Sequence, residues 1–192
     1  MESTKAGGTA VNRRNMLIGL IALPVAGCTN AYSNLPVANA AATDHYTLGP
    51  GDSVKIAVYG FDMMAGSYLV SDAGTISLPM LSTVEVAGKS APELEASLAA
   101  LLRAKDLAPN ANVSVQVDKY RPFYILGEVQ KPGQYDYVPG MTLLTAVSIA
   151  GGYTFRANKQ MAAVNRQRGK AKLDPDSPVL PGDTITIPEA WF

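Results

Sequence analysis

Few residues in this chain have the type and spacing to do chemistry. There is one cysteine, Cys28, and one histidine, His45. That count rules out an internal disulfide and nearly every metal site built on His and Cys ligands. A serine nucleophile needs a base, and His45 lies where a polar, Ala- and Asn-rich tether gives way to the folded part of the chain; no G-x-S-x-G elbow occurs. Gly88-Lys89-Ser90 ahead of a helical pattern has the ending of a phosphate-binding loop. The loop needs a glycine five residues before the Gly-Lys pair, and that position is Thr83, so backbone N–H groups cannot wrap a phosphate there. Paired carboxylates for glycoside cleavage could converge from any two acids. Asp52, Asp72 and Asp183, however, each fall in a turn that accounts for them structurally. The chain is therefore read as a non-enzyme with no cofactor and no metal.

The strongest charge feature is a run without acids, Arg156, Lys159, Arg166, Arg168, Lys170 and Lys172. It is a local positive patch on a chain of formal net charge +0, suited to an acidic polysaccharide or an acidic partner face. The plainer reading is a solvated hairpin. Tyr124, Tyr135, Tyr137 and Tyr153 could stack on sugars, but tyrosines at alternate strand positions more often pack. Zero net charge argues against nucleic acid as a partner. With 47% hydrophobic and 17% charged residues among 192, the chain can bury one core or two small ones.

The N-terminus reads as an address. Lys5, Arg13 and Arg14 precede the apolar run Met16 to Val25, which is too short for a membrane span and suits the hydrophobic region of a signal peptide. Val25-Ala26-Gly27-Cys28 looks like a bacterial lipobox, with Cys28 the residue acylated after cleavage. Thr29, in place of an aspartate, leans toward the outer membrane. Asn12 to Leu17 also resembles a twin-arginine signal, and ordinary secretion stays open beside it.

Thr29 to Thr43, rich in Ala, Asn and Ser, reads as a flexible tether. Leu48-Gly49-Pro50-Gly51-Asp52 is a turn, followed by a strand with Val54, Ile56 and Val58 inward. Tyr68 to Pro79 reads as a hairpin around Asp72-Ala73-Gly74. Thr83 to Val86 is a short strand. Ser90 and Glu93 form a capping box for a helix whose apolar stripe is Leu94, Leu98, Leu101 and Leu102. Asn112 to Asp118 is an alternating strand. Phe123 to Val129 and Gln134 to Val138 are strands joined through Lys131-Pro132-Gly133. Thr142 caps a short helix with Leu143, Leu144, Val147 and Ile149 on its buried side, and Gly151-Gly152 ends it. Met161 to Arg168 and Lys170 to Leu173 are strands. Leu180-Pro181-Gly182-Asp183 then repeats the first Pro-Gly-Asp turn and feeds another alternating strand.

Two sets of these residues carry a family resemblance. Tyr46 to Tyr59, the Asp72 turn and GKSAPELEASLAALL are similar to the start of polysaccharide export domains; Ala73 between the Asp and the Gly is a departure that affects turn type. Gly127 to Tyr153 resembles the SLBB module, a soluble ligand-binding β-grasp. The chain thus resembles the outer-membrane polysaccharide export family, the Wza-like lipoproteins. The fold class expected is α+β. Residues 1–27 would be a lipoprotein signal peptide, 28–44 a tether, 45–118 the export domain, and 119–192 the SLBB module with its C-terminal Pro-Gly-Asp strand. The resemblance implies a lipid-anchored, periplasm-facing outer-membrane subunit of a homo-oligomeric ring that passes capsular polysaccharide or exopolysaccharide. An inner-membrane polysaccharide co-polymerase would dock below. Long members continue into a transmembrane helix; this chain is read as a short member that needs a separate outer-membrane component. The alternative is a monomeric periplasmic glycan-binding module.

Overall fold

The computed structural model describes residues 35–38, 46–166 and 169–190. The expected signal peptide (residues 1–27), Cys28, His45, Arg168 and the terminal Trp191-Phe192 lie outside them. Among the described residues there are ten strands and two α-helices, an α+β fold.

The first half is built on β1 (Ser53–Val58), flanked by β2 (Gly66–Leu69) and β5 (Val113–Lys119), both antiparallel. Its period-two pattern buries Val54, Ile56 and Val58, as a sheet with one covered face requires. The cover is α1 (Ala91–Ala104), whose Leu94, Leu98 and Leu102 are buried. Leu101, expected in that stripe, is 37% exposed, because it falls one position off the i, i+4, i+8 row that faces the sheet. The Glu93 carboxylate accepts hydrogen bonds from the Ser90 N–H and hydroxyl, closing the helix start. β3 (Thr75–Leu78) and β4 (Ser82–Glu85) form a separate two-stranded ladder. This corrects the expected hairpin. The turn is present, with Ser71 N–H bonded to the Thr75 carbonyl, but β2 pairs with β1 and β3 with β4. Turn chemistry is local; the choice of ladder partner is not.

The second half is one mixed sheet in the order β7-β6-β10-β8-β9. Its strands are β6 (Phe123–Gly127), β7 (Gly133–Tyr135), β8 (Ala162–Arg166), β9 (Gly169–Leu173) and β10 (Thr184–Ile187). Numbered within this half, the order is 2-1-5-3-4, with the first and last strands parallel at the centre, which is the β-grasp arrangement. The parallel pairing brings β6 so close to β10 that a methyl on Gly127 would fall on the Ile187 carbonyl. Helix α2 (Leu143–Ile149) packs on this sheet. Thr142 and Thr145 cap it reciprocally, side chain to backbone N–H. At its end Gly152 N–H reaches the Val147 carbonyl and Gly151 N–H that of Ser148, a Schellman closure with both glycines at positive φ. Its buried row is Leu143, Ala146, Val147 and Ala150; Leu144 and Ile149, expected inward, are half exposed. The i, i+3, i+4, i+7 row runs through two alanines, which the larger neighbouring residues obscured in the sequence.

One segment before the first half is also placed. Leu35 to Ala38, expected within a free tether, lies along the edge of β9. Val37 forms a parallel bridge with Lys172, and Ala38 packs on the core of the second half.

Candidate functional site

The two Pro-Gly-Asp turns have the same local build. In each, the Asp N–H donates to the carbonyl three residues back, Gly49 or Leu180, at 3.1 Å. The glycine sits at positive φ, 89° at Gly51 and 83° at Gly182, as a type II turn with Pro ahead of it demands. The Asp carboxylate then accepts the N–H of that same first residue, at 2.8 Å from Gly49 and 2.9 Å from Leu180. Both carboxylates end up buried, Asp52 fully and Asp183 all but 2%. A buried carboxylate needs a cation and further donors, and each turn finds an arginine.

Asp183 is paired within its own sheet. Arg166, at the end of β8, grips it with Nε at 2.8 Å and Nη2 at 2.9 Å, a bidentate fork, and Nη2 also donates to the Pro178 carbonyl. Asp52 takes its arginine from the segment between the two halves. Arg121 donates its backbone N–H to Oδ1 at 2.8 Å and Nη1 to Oδ2 at 3.0 Å. Its Nε continues to the Pro181 carbonyl at 3.1 Å. Arg121 thus runs between the two turns, bonded to the carboxylate of one and a proline carbonyl of the other. The glycines leave it room: a methyl on Gly49 would strike its guanidinium, and one on Gly182 would come within 2.9 Å of Nε.

Aromatic rings line this junction. Tyr46 packs edge-on against Tyr120 at 5.0 Å, and Tyr120 against Tyr137 at 5.4 Å, one ring from each half and one from the connection. Arg121 lies over the Tyr46 ring at 5.5 Å, within cation–π range. The Tyr46 hydroxyl donates to Asp52 Oδ2 at 2.6 Å. Burial first, and this bond second, push the Tyr46 hydroxyl well above its usual range, since both favour the neutral phenol beside a carboxylate.

The expected basic patch is divided by its acid partners, which come from distant sequence. Arg166 is committed to Asp183. Arg156 pairs with Glu189, through Nε at 2.7 Å and through Nη2, which raises the Arg156 pKa through that hydrogen bond. Lys159 and Lys170 are exposed, and Lys172 is half-buried on β9. Of the tyrosines, Tyr135 stacks on Phe123 at 5.9 Å and donates to the Lys131 carbonyl. Burial raises the hydroxyl pKa of Tyr137 and Tyr153; Tyr124 is 41% exposed. Gly88 and Lys89, weighed as a phosphate loop, spend their backbone groups on Leu48: Gly88 N–H donates to its carbonyl, and the Lys89 carbonyl accepts its N–H. Among the described residues, no group of three or more His, Cys, Asp or Glu is placed to hold a metal ion. Sequence reasoning missed Arg121. Two turns that each bury an aspartate imply two cations, but the partner of Asp52 is 69 positions away.

Residues 40–118 match the family described as Polysaccharide biosynthesis/export protein, and residues 122–173 match the SLBB domain. The exopolysaccharide production protein ExoF of Rhizobium meliloti is 33% identical over 66% of this chain and 32% of its own length. The polysialic acid transport protein KpsD of Escherichia coli is 33% identical over 56% of this chain and 19% of its own length. The EPS I polysaccharide export outer membrane protein EpsA of Ralstonia nicotianae is 32% identical over 55% and 28%. The chain spans about a third or less of the length of these relatives. No helix among the described residues is long and apolar enough to cross a membrane.

Proposed function

From its place in the polysaccharide biosynthesis/export family, as an export domain followed by an SLBB domain, we propose that the protein is a subunit of a ring-shaped conduit for capsular polysaccharide or exopolysaccharide. Acylation of Cys28 holds it to the outer membrane on the periplasmic side. An inner-membrane polysaccharide co-polymerase docks below it. Its role is structural and not catalytic.

The observation that carries this reading is the Arg121 junction. A closed ring needs every subunit to present its two binding faces at one fixed angle. A hinge between the two halves would spread that angle and allow open or irregular assemblies. Here the connection is pinned by a buried ion pair, by a main-chain bond from Gly182 to Pro122, and by three packed tyrosines. The exposed Lys159 and Lys170, with Lys172 and Arg168, are candidate contacts for an acidic glycan or an acidic partner face; Arg156 and Arg166 contribute less, because Glu189 and Asp183 already neutralise them.

The test is the oligomeric state of the acylated protein in mild detergent, by mass-resolved chromatography and negative-stain imaging. A closed ring of uniform size is the expected result. A monomer at high concentration that binds glycan fragments would replace the conduit with a glycan-binding module.

A further inference from the structure

Strand register brings a row of functional groups together on the second sheet. Gln134 on β7 stands beside Tyr124 on β6, and Tyr124 beside Thr184 on β10. Thr184 in turn stands beside Asn165 on β8, and Asn165 beside Lys170 on β9. Directly opposed residues share a side of the sheet, so one row crosses all the strands. It lies on the side away from the core. Side chains alternate along a strand, and the neighbours Ile125, Ile185 and Val164 are the ones buried in the core. Every member of the row is exposed or half-exposed, with Tyr124 at 41%. A second row on the same side runs Leu126, Thr186, Ala163 and Lys172.

The first row presents an amide, a phenol, a hydroxyl, an amide and an ammonium. Gln, Thr and Asn side chains each both donate and accept hydrogen bonds, as a sugar hydroxyl does. The open Tyr124 ring offers a flat apolar face to the C–H side of a sugar. The charge is one-sided. Lys170 and Lys172 end the two rows on β9, and no strand residue in either row is acidic. Among the described residues neither lysine forms an ion pair. Arg166 has the opposite parity on β8, and Asp183 consumes its charge. Strand alternation thus sorts the positive run, neutralised on one side of the sheet and open on the other. The open side is complementary to an anionic chain rich in hydroxyls.

We propose that this open sheet face is a binding site for an acidic glycan chain laid across the strands, one sugar ring on Tyr124 and carboxylates at Lys170 and Lys172. Three strand spacings separate Tyr124 from Lys170, about 14 Å, so the stacked sugar and the paired carboxylate belong to different units of the chain. The proposal rests on the reading above for the glycan, and it assigns the contact to one face of one sheet.

The full-length protein in mild detergent is titrated calorimetrically with tetragalacturonate, with monomeric galacturonate and with neutral maltotetraose. Tetragalacturonate should bind at least tenfold tighter than either of the others, and its Kd should rise with salt. The double variant Lys170→Gln/Lys172→Gln should weaken it at least tenfold, and Tyr124→Ala at least fivefold. Tyr124→Phe, which keeps the ring, and Lys105→Gln, beyond α1, should stay within twofold of the parent. Melting curves by circular dichroism check the fold of each variant; should Tyr124→Ala melt early, Asn165→Ala takes its place, with at least a threefold loss expected. Equal affinity for the acidic and neutral tetramers overturns the proposal, as does unchanged binding in the lysine and face variants. A face variant that breaks up the ring without weakening glycan binding overturns it in favour of a second copy of this chain as the occupant. A monomer that binds tetragalacturonate through Tyr124 and the two lysines supports the site and sinks the conduit. A closed ring that binds none of it sinks the site and leaves the conduit standing.

Discussion

The Pro-Gly-Asp turns at Asp52 and Asp183 share one backbone, one buried carboxylate and one kind of partner, yet they do different work. Asp183 and Arg166 close a ring of contacts inside one sheet. Asp52 and Arg121 tie the first half to the connection and, through the Pro181 carbonyl, to the second turn. The difference lies in where the arginine enters, not in the turn. A turn that buries an acid creates a demand for positive charge; whichever element supplies it becomes bound to that turn. Supplied from β8, the charge stiffens a sheet. Supplied from the link between two cores, it bonds that link to a turn of each half.

The largest expected effect is that of Asp52→Ala. It strands the Arg121 guanidinium, itself only 19% exposed, and removes the acceptor of Tyr46 and of two backbone N–H groups. Breaking one partner of a buried pair costs about 3–5 kcal/mol. Urea unfolding should show that loss and should separate into two transitions, one per core; a single transition would mean that the junction does not couple the halves. Asp183→Ala should cost somewhat less, about 3 kcal/mol, and should destabilise the SLBB sheet alone. If it also split the unfolding curve, the contrast between the two turns would fail.

Gly182→Ala comes next. It forces a side chain into positive φ and pushes on Arg121 Nε, for a loss of about 1–2 kcal/mol by chemical denaturation. Tyr46→Phe removes one hydrogen bond to a charged group, for about 1.5 kcal/mol at neutral pH, and it changes the alkaline limb. In the folded chain the Tyr46 hydroxyl keeps its proton above the usual tyrosine value, whereas the unfolded chain releases it near pH 10. Its contribution is therefore complete below pH 10 and is lost as pH rises beyond it. The parent should lose stability on titration above pH 10, and Tyr46→Phe should lose less over the same range; Tyr137 and Tyr153, also raised by burial, supply the remaining slope. Equal slopes would remove Tyr46 from the junction's energetics. The smallest effect belongs to Lys119→Ala. Its ion pair with Asp136 is 66% and 77% exposed, so thermal unfolding should register no more than about 0.5 kcal/mol.

The sequence by itself determined what is encoded over short range. The alternation of Val54, Ile56 and Val58, the Ser90–Glu93 capping box, the two Pro-Gly-Asp turns and the Gly151-Gly152 helix stop are each settled within a few residues, because propensity, capping and turn geometry act at that distance. The family resemblance was legible for the same reason, since its signs are turns and caps in a fixed order. Tertiary structure alone decided who pairs with whom. It sent β2 and β3 to different ladders, filled the buried row of α2 with Ala146 and Ala150 in place of Leu144 and Ile149, and drew Leu35 to Ala38 onto β9. It also gave the positive run from Arg156 to Lys172 its acids, Glu189 and Asp183, and supplied Arg121 to Asp52. Burial sets these pairings: a carboxylate or a strand edge removed from water must be satisfied, and the group that satisfies it is whichever the folded chain brings within reach, however far away it lies in the sequence.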